Sequence, residues 1–282
     1  MNQREDIRDF LSSRRARITP DQVALPPYHG RRRVPGLRRE EVALLAGISV
    51  DYYTRLERGN LANVSATVLD AVAKVLRFDD AERAHLISLA DGIQRPRSTR
   101  RPGTAVLKPH IQWMLDAITT APAWVQNQRL DLLAANPLSA MLNPGLVDDR
   151  PGPINLARYV FLDPQSHEYF PDWSQHADDA VAILRTAAGE SPDDPQLARL
   201  VGELSTRSDE FRVRWALQNV RHHRSGRKRI NSPVVGELDL TYEGMELTAH
   251  PGLTLFIMAA EPGSAAHNAL TRLAARHTQN NE

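Results

Sequence analysis

Apolar residues in the first ninety positions recur at helical intervals. Ile7, Phe10 and Leu11 stand at i, i+3 and i+4 and predict a helix over 4–17 with one buried face. Residues 38–46 repeat the pattern with Val42, Leu45 and Ala46, and Gly47 follows, able to take the positive φ that closes a helix. Ile48 is placed to plug the corner, and Ser49 is a ready N-cap for a next helix running to Arg58. Tyr53 and Leu56 face inward on it, Val50, Asp51, Tyr52, Thr54 and Arg55 face out, and Gly59 stops it. A fourth helix, capped by Ser65, carries Val68, Leu69, Val72, Val75 and Leu76, and a fifth spans 79–90. The head is therefore expected to be an all-α bundle of five helices.

The pattern changes beyond residue 108. Ile111, Met114 and Leu115 predict a helix, and 123–127 with 130–134 predict a strand pair bent at Gln128 and Arg129. Helices are expected over 155–161, 172–188, 194–206 and 209–215. Strands follow over 226–230, 236–242, 245–248 and 253–260, then a last helix over 264–276. Strands, a run of helices and strands again predict an α+β domain, an antiparallel sheet with helices segregated to one side. Residues 92–103 are polar, basic and broken by Pro and Gly, the composition of a linker. It reads either as a solvated hinge or as an arm lying against phosphates. The expected organisation is a head over 1–92, a linker over 93–107, a second domain over 108–276 and a tail over 277–282.

Charge separates the two halves. The chain of 282 residues has a formal net charge of +1, yet residues 1–105 carry 19 Lys+Arg against 13 Asp+Glu, a net of +6. The rest carries 16 against 21, a net of −5. A basic head and an acidic second module are what a nucleic-acid reader fused to a different function would show. No cysteine is present, which excludes disulfides and Cys-ligated metals. A charged N-terminus without an apolar core, and no apolar run of about 18 residues, lead to the expectation of a cytoplasmic protein with no membrane partner.

Two helices joined by a Gly turn, the second exposing short polar and basic groups at its N-terminal end, form a helix-turn-helix. The alternative is an ordinary αα-hairpin inside a helical enzyme. Glycine, following hydrophobe, cap and Leu-Glu-Arg-Gly terminus coincide at Gly47 to Gly59 and favour a reader of double-stranded DNA. Ser49, Val50, Asp51, Tyr52, Thr54 and Arg55 are expected at the major groove, and Arg38 and Arg39 on phosphate.

The stretch from Arg38 to Ser49, followed by Arg55-Leu-Glu-Arg-Gly, resembles the Xre/lambda-repressor-like helix-turn-helix domains. Many such heads carry Thr-Gln or Ser-Gln where this chain has Arg38-Arg39. The narrower spelling Val34-Pro-Gly-Leu-Arg-Arg-Glu-Glu-Val-Ala is similar to that of regulators with a C-terminal MmyB-like ligand-binding domain. Asn155-Leu-Ala-Arg-Tyr-Val-Phe-Leu-Asp-Pro, Ser208-Asp-Glu-Phe-Arg-Val-Arg-Trp, Pro233-Val-Val-Gly-Glu-Leu-Asp-Leu and Ala260-Glu-Pro-Gly-Ser extend the resemblance to about residue 275. It implies a PAS-like second domain that binds a small apolar molecule, with a fatty acid as the type of occupant.

Little in the sequence points to catalysis or to a cofactor. The ten histidines form no His-Glu-x-x-His or similar metal pair, and no Gly-x-Gly-x-x-Gly, Walker or Gly-x-Ser-x-Gly motif is present. Trp124, Tyr159, Phe161, Trp173, Phe211 and Trp215 are the candidate walls of an apolar pocket, with plain core packing as the alternative. Arg221, His222, His223, Arg224, Arg227, Lys228 and Arg229 form a basic cluster in an acidic domain. It reads as a solvated strand face or as a rim for a carboxylate, with His223 or Arg224 as the partner. The leading expectation is a ligand-responsive repressor, not an enzyme, that binds an inverted repeat as a homodimer. The competing classes are an enzyme acting on an apolar acid or ester with a fused DNA-binding head, and a pure protein-recruitment module.

Overall fold

The computed structural model describes residues 3–23, 34, 36–61, 64–94, 107–147, 154–217 and 225–280. Most of the predicted linker, the basic stretch at 24–33 and Arg221 to Arg224 lie outside the described residues.

The N-terminal region is helical: α1 (Gln3–Arg17), a short 3-10 turn (Pro20–Gln22), α2 (Arg39–Ala46), α3 (Val50–Glu57), α4 (Ala66–Val75) and α5 (Asp80–Gln94). These helices and their connections bury Ile7, Phe10, Leu11, Leu37, Val42, Tyr53, Leu56, Leu61, Val72 and Leu86 in one core. Gly47 closes α2 at φ 68°, and the Ile48 N–H donates to the Ala43 carbonyl at 3.0 Å. The Ser49 hydroxyl then caps α3 by accepting from the Tyr52 N–H at 3.1 Å. Gly59 has two reasons to be glycine. Its φ is 85°, and a Cβ there would sit 2.6 Å from the Arg4 Cα.

The chain divides into two compact units. The first comprises Met1–Arg101, Arg185–Arg199 and Arg214–His222, so it includes segments from late in the sequence. The second comprises Pro102–Leu184, Leu200–Val213 and His223–Glu282. After α6 (Pro109–Asp116) come β1 (Ala123–Asn127) and β2 (Leu132–Ala135), then α7 (Pro137–Leu142), α8 (Pro144–Val147), α9 (Leu156–Leu162) and α10 (Gln165–Tyr169). The long α11 (Trp173–Glu190), α12 (Pro195–Arg207) and α13 (Asp209–Ala216) precede β3 (Ser225–Ser232), β4 (Gly236–Glu246), β5 (Leu253–Ala259) and α14 (Ala265–Asn280).

The five strands form one antiparallel sheet in the order β2-β1-β5-β4-β3, so the first hairpin joins the last three strands through β1 and β5. Alternation along the strands gives the sheet two different faces. Ala123, Val125 and Leu253 pack with Ile111 and Leu115 of α6 on one. Ile230, Leu238, Leu240, Phe256 and Met258 pack with α7 and α14 on the other, so the expected segregation of helices to one side does not hold: both sheet faces are apolar and both are covered. One expectation is corrected here. The segments 236–242 and 245–248 are not two strands, because β4 continues through Glu243 and Gly244, and Gly244 pairs in register with Phe256. Glu-Gly resembles a turn in sequence, but the ladder on β5 holds it extended.

Buried amides fix the joints around the sheet. Asn136, fully buried, donates to the carbonyls of Ile118 and Ala121 at 2.7 Å each and accepts from the N–H groups of Ala123 and Ser139. That uses all four of its hydrogen-bonding sites. Asn155 caps α9 and donates to the Arg129 carbonyl and the Asp131 carboxylate. The β1–β2 turn ends in Leu130 at φ 65°, a left-handed conformation that costs a non-glycine residue about 1–2 kcal/mol.

Candidate functional site

Two surfaces stand out, one in each unit. In the first, α3 presents Ser49, Val50, Asp51, Tyr52 and Arg55 to solvent, with Thr54 half-buried beside them. The opposite side of α3 is held from within. Glu57 is fully buried; its Oε1 accepts from Arg15 Nε and Nη2 at 3.1 and 2.8 Å, and its Oε2 from Arg39 Nε at 2.5 Å. Arg15 also donates to the Leu37 carbonyl at 2.7 Å. One carboxylate therefore ties α1, α2 and α3 together and sets the angle at which α3 is offered. Arg39, expected on phosphate, is half of that clamp, although its guanidinium remains 46% exposed. Arg38 stands at the N-cap of α2, where its backbone N–H donates to Glu41 Oε2 at 2.6 Å, and its side chain lies 3.5 Å from Glu40.

In the second unit a cavity of about 140 Å3 lies between the sheet and helices α7 to α11. Leu132, Leu142, Leu146, Leu156, Ile183, Phe256 and Met258 make most of its wall apolar. Leu130 belongs to the same wall, so its left-handed backbone aims a leucine into the cavity. Of the candidate residues, Trp124 and Tyr159 line it. Trp124 stacks on Phe256 with ring centroids 5.3 Å apart and donates from Nε1 to Gln126 at 2.9 Å. Tyr159 accepts from Asn143 Nδ2 at 2.9 Å.

The other candidates go elsewhere. Phe161 packs edge-on against both Trp173 and Phe211, at 6.0 and 5.1 Å, and Trp173 donates to the Val160 carbonyl at 3.0 Å. Trp215, in the first unit, carries the Arg185 guanidinium 4.0 Å above its ring. His223 and Arg224 lie outside the described residues.

One corner of the cavity is polar. His176 and Asp179 reach it from α11, and Lys228 from β3. The His176 ring stacks on Phe170 at 4.1 Å and bonds through Nδ1 to the Asp172 carbonyl. Lys228 lies with its Nζ 4.8 Å from the centre of the Tyr242 ring. Burial pulls its ammonium down to about 8, while Asp179 pulls the other way. Lys228 had seemed one of a basic strip, yet strand alternation separates it from its neighbours. Arg227 makes a two-pronged pair with Asp239 and Arg229 another with Asp172, while Lys228 shares the inner face with Ile230. The period of two in Arg-Lys-Arg-Ile was the available signal.

Comparison with known families fits both surfaces. A helix-turn-helix domain model matches residues 11–86, which include α2 and α3. The model of the MmyB-like transcription regulator ligand binding domain matches residues 107–273, and every residue lining the cavity falls inside that span. The chain belongs to the MmyB-like transcription regulators. It is thus a ligand-responsive regulator with a DNA-binding head, and neither matched model describes an enzyme. No curated protein matches the sequence. Among the described residues, no helix is long and apolar enough to cross a membrane, and no group of three His, Asp or Glu is placed to hold a metal ion.

Proposed function

We propose that this MmyB-like regulator is a repressor that reads an inverted repeat as a homodimer and answers to a small acyl acid. The observation that carries the reading is the joint presence, in one chain, of an exposed polar turn on α3 and an apolar cavity with one charged corner. A single short recognition helix offers few base contacts, whereas a two-fold pair reads half-sites about 34 Å apart. A dry apolar cavity of about 150 Å3 takes a benzene-sized guest, which favours short or medium acyl chains over long ones. Each buried CH₂ adds about 0.8 kcal/mol. A sheet with helices packed against its inner face supports the PAS-like description of the second domain.

Selection of binding duplexes from a random pool with the full chain tests the head. Palindromic sites with half-sites one helical turn apart are expected, and sites without two-fold symmetry would remove the dimer. Arg55 on α3 is the anchor to change. A bidentate contact to guanine predicts that Arg55→Ala costs about 1–3 kcal/mol and relaxes one base position. Uniform weakening on every sequence would instead place Arg55 on phosphate. Adding octanoate to the complex then reports whether the cavity and the head communicate, since a ligand shifts binding only if it favours one of two arrangements.

A further inference from the structure

The polar corner of the cavity brings together two opposite charges, Lys228 and Asp179, so a head group that meets both needs an acceptor and a donor. Resting on the acyl-ligand reading above, we infer that the natural ligand is a hydroxy acid, its carboxylate on Lys228 and a hydroxyl near the carboxylate donating to Asp179.

Lys228 and Asp179 come to the cavity from different elements, β3 and α11, and line it together. Asp179 is 5% exposed, and it is the charge that acts on the Lys228 ammonium through space. His176, one turn earlier on α11, is turned through Nδ1 to the Asp172 carbonyl. Tyr242, under the ammonium, is held protonated by burial and by the nearby Asp179 and Glu243 charges.

Electrostatics then selects the head group. A bare carboxylate gains from Lys228 and is repelled by Asp179 at close range in a poorly screened site. A head with donors alone has the reverse problem. A hydroxyl two or three carbons from the carboxylate supplies an acceptor for the cation and a donor for the anion. A carboxylate offers about four lone-pair positions, so Asp179 accepts this bond without giving up its protein contacts. The apolar wall made by Leu132, Leu156 and Ile183 takes the chain.

The test uses the full chain and four probes of one length: octanoate, 2-hydroxyoctanoate, 3-hydroxyoctanoate and methyl octanoate. Calorimetry, or the fluorescence of Trp124 in the cavity wall, follows binding. A hydrogen bond to a charged group is worth about 10- to 100-fold in affinity, so one hydroxy acid is expected to bind at least tenfold tighter than octanoate. Asp179→Asn is expected to tighten octanoate, weaken the hydroxy acid and so collapse the preference. Lys228→Met is expected to bring every acid down to the affinity of the ester. Equal binding of octanoate and both hydroxy acids, or a preference that survives Asp179→Asn, overturns the hydroxy-acid head and leaves the acyl reading standing. Failure of all four probes to saturate the protein overturns the acyl reading and this inference with it.

Discussion

Replacing Glu57 with alanine is expected to destabilise the helix-turn-helix head by about 3–5 kcal/mol, the cost of breaking a buried ion pair from one side. The carboxylate is fully buried and receives Arg15 and Arg39 on its two oxygens. Removing it leaves the half-buried Arg15 guanidinium without a carboxylate, and α2 loses the Arg39 tie to α3. Against a total stability of about 5–15 kcal/mol for a domain, that is a large share. Amide hydrogen exchange in α1 and α3 should quicken by about a thousandfold, since 1.4 kcal/mol is tenfold, and operator affinity should fall with it. Replacing Arg15, Arg39 and Glu57 together by methionine should recover much of the loss, because packed apolar groups often match a buried ion cluster. Unchanged exchange in Glu57→Ala would show that α3 is held by its apolar contacts alone.

This clamp marks where the sequence stopped being readable. The turn at Gly47, the cap at Ser49 and the inward Tyr53 and Leu56 were legible because each is a local rule tied to helix geometry. Glu57 breaks such a rule. A carboxylate on a short polar helix reads as solvent-facing, and its partners stand 18 and 42 positions away. Arg39 gives no sign of this role in the sequence for the same reason: a basic residue at the start of a DNA-binding motif looks outward when considered alone, and its tie to Glu57 still leaves it 46% exposed.

The second domain shows the same division. Period-two and helical patterns gave the strands and long helices to within a few residues, and the antiparallel α+β class followed. The short α7, α8 and α10 were not foreseen, since pieces of four to six residues are too brief for a period to show. Aromatic content pointed to a cavity, but not to which rings meet it. Trp124 and Tyr159 do, whereas Phe161, Trp173 and Phe211 satisfy one another. Lys228 was hidden by the arginines on either side, whose carboxylate partners lie on β4 and before α11.

Acid is expected to loosen the first unit through one side chain, His85. The imidazole is 5% exposed and packs edge-on to Phe10 at 4.9 Å. It also fills the space at Gly189, where a Cβ would lie 2.8 Å from its Cε1. Burial, followed by repulsion from Arg185 and Arg14, pulls it down to about 3 from an ordinary 6.5. Arg14 is itself paired with Glu82 at 2.6 Å, and Arg185 is held by the Trp215 carbonyl and ring. The native state therefore keeps His85 neutral, while the unfolded chain takes up a proton near pH 6.5. Between those values the unfolded state binds one more proton, so stability falls as the pH falls, by about 1.4 kcal/mol per unit. The contribution is whole above pH 6.5 and about 2 kcal/mol smaller at pH 5. Hydrogen exchange of α1 and α5, corrected for the intrinsic pH dependence of exchange, measures the slope directly. His85→Leu should flatten it by one proton, whatever the variant does to stability at neutral pH. An unchanged slope in that variant would mean that the acid sensitivity belongs to other groups and that His85 only fills space.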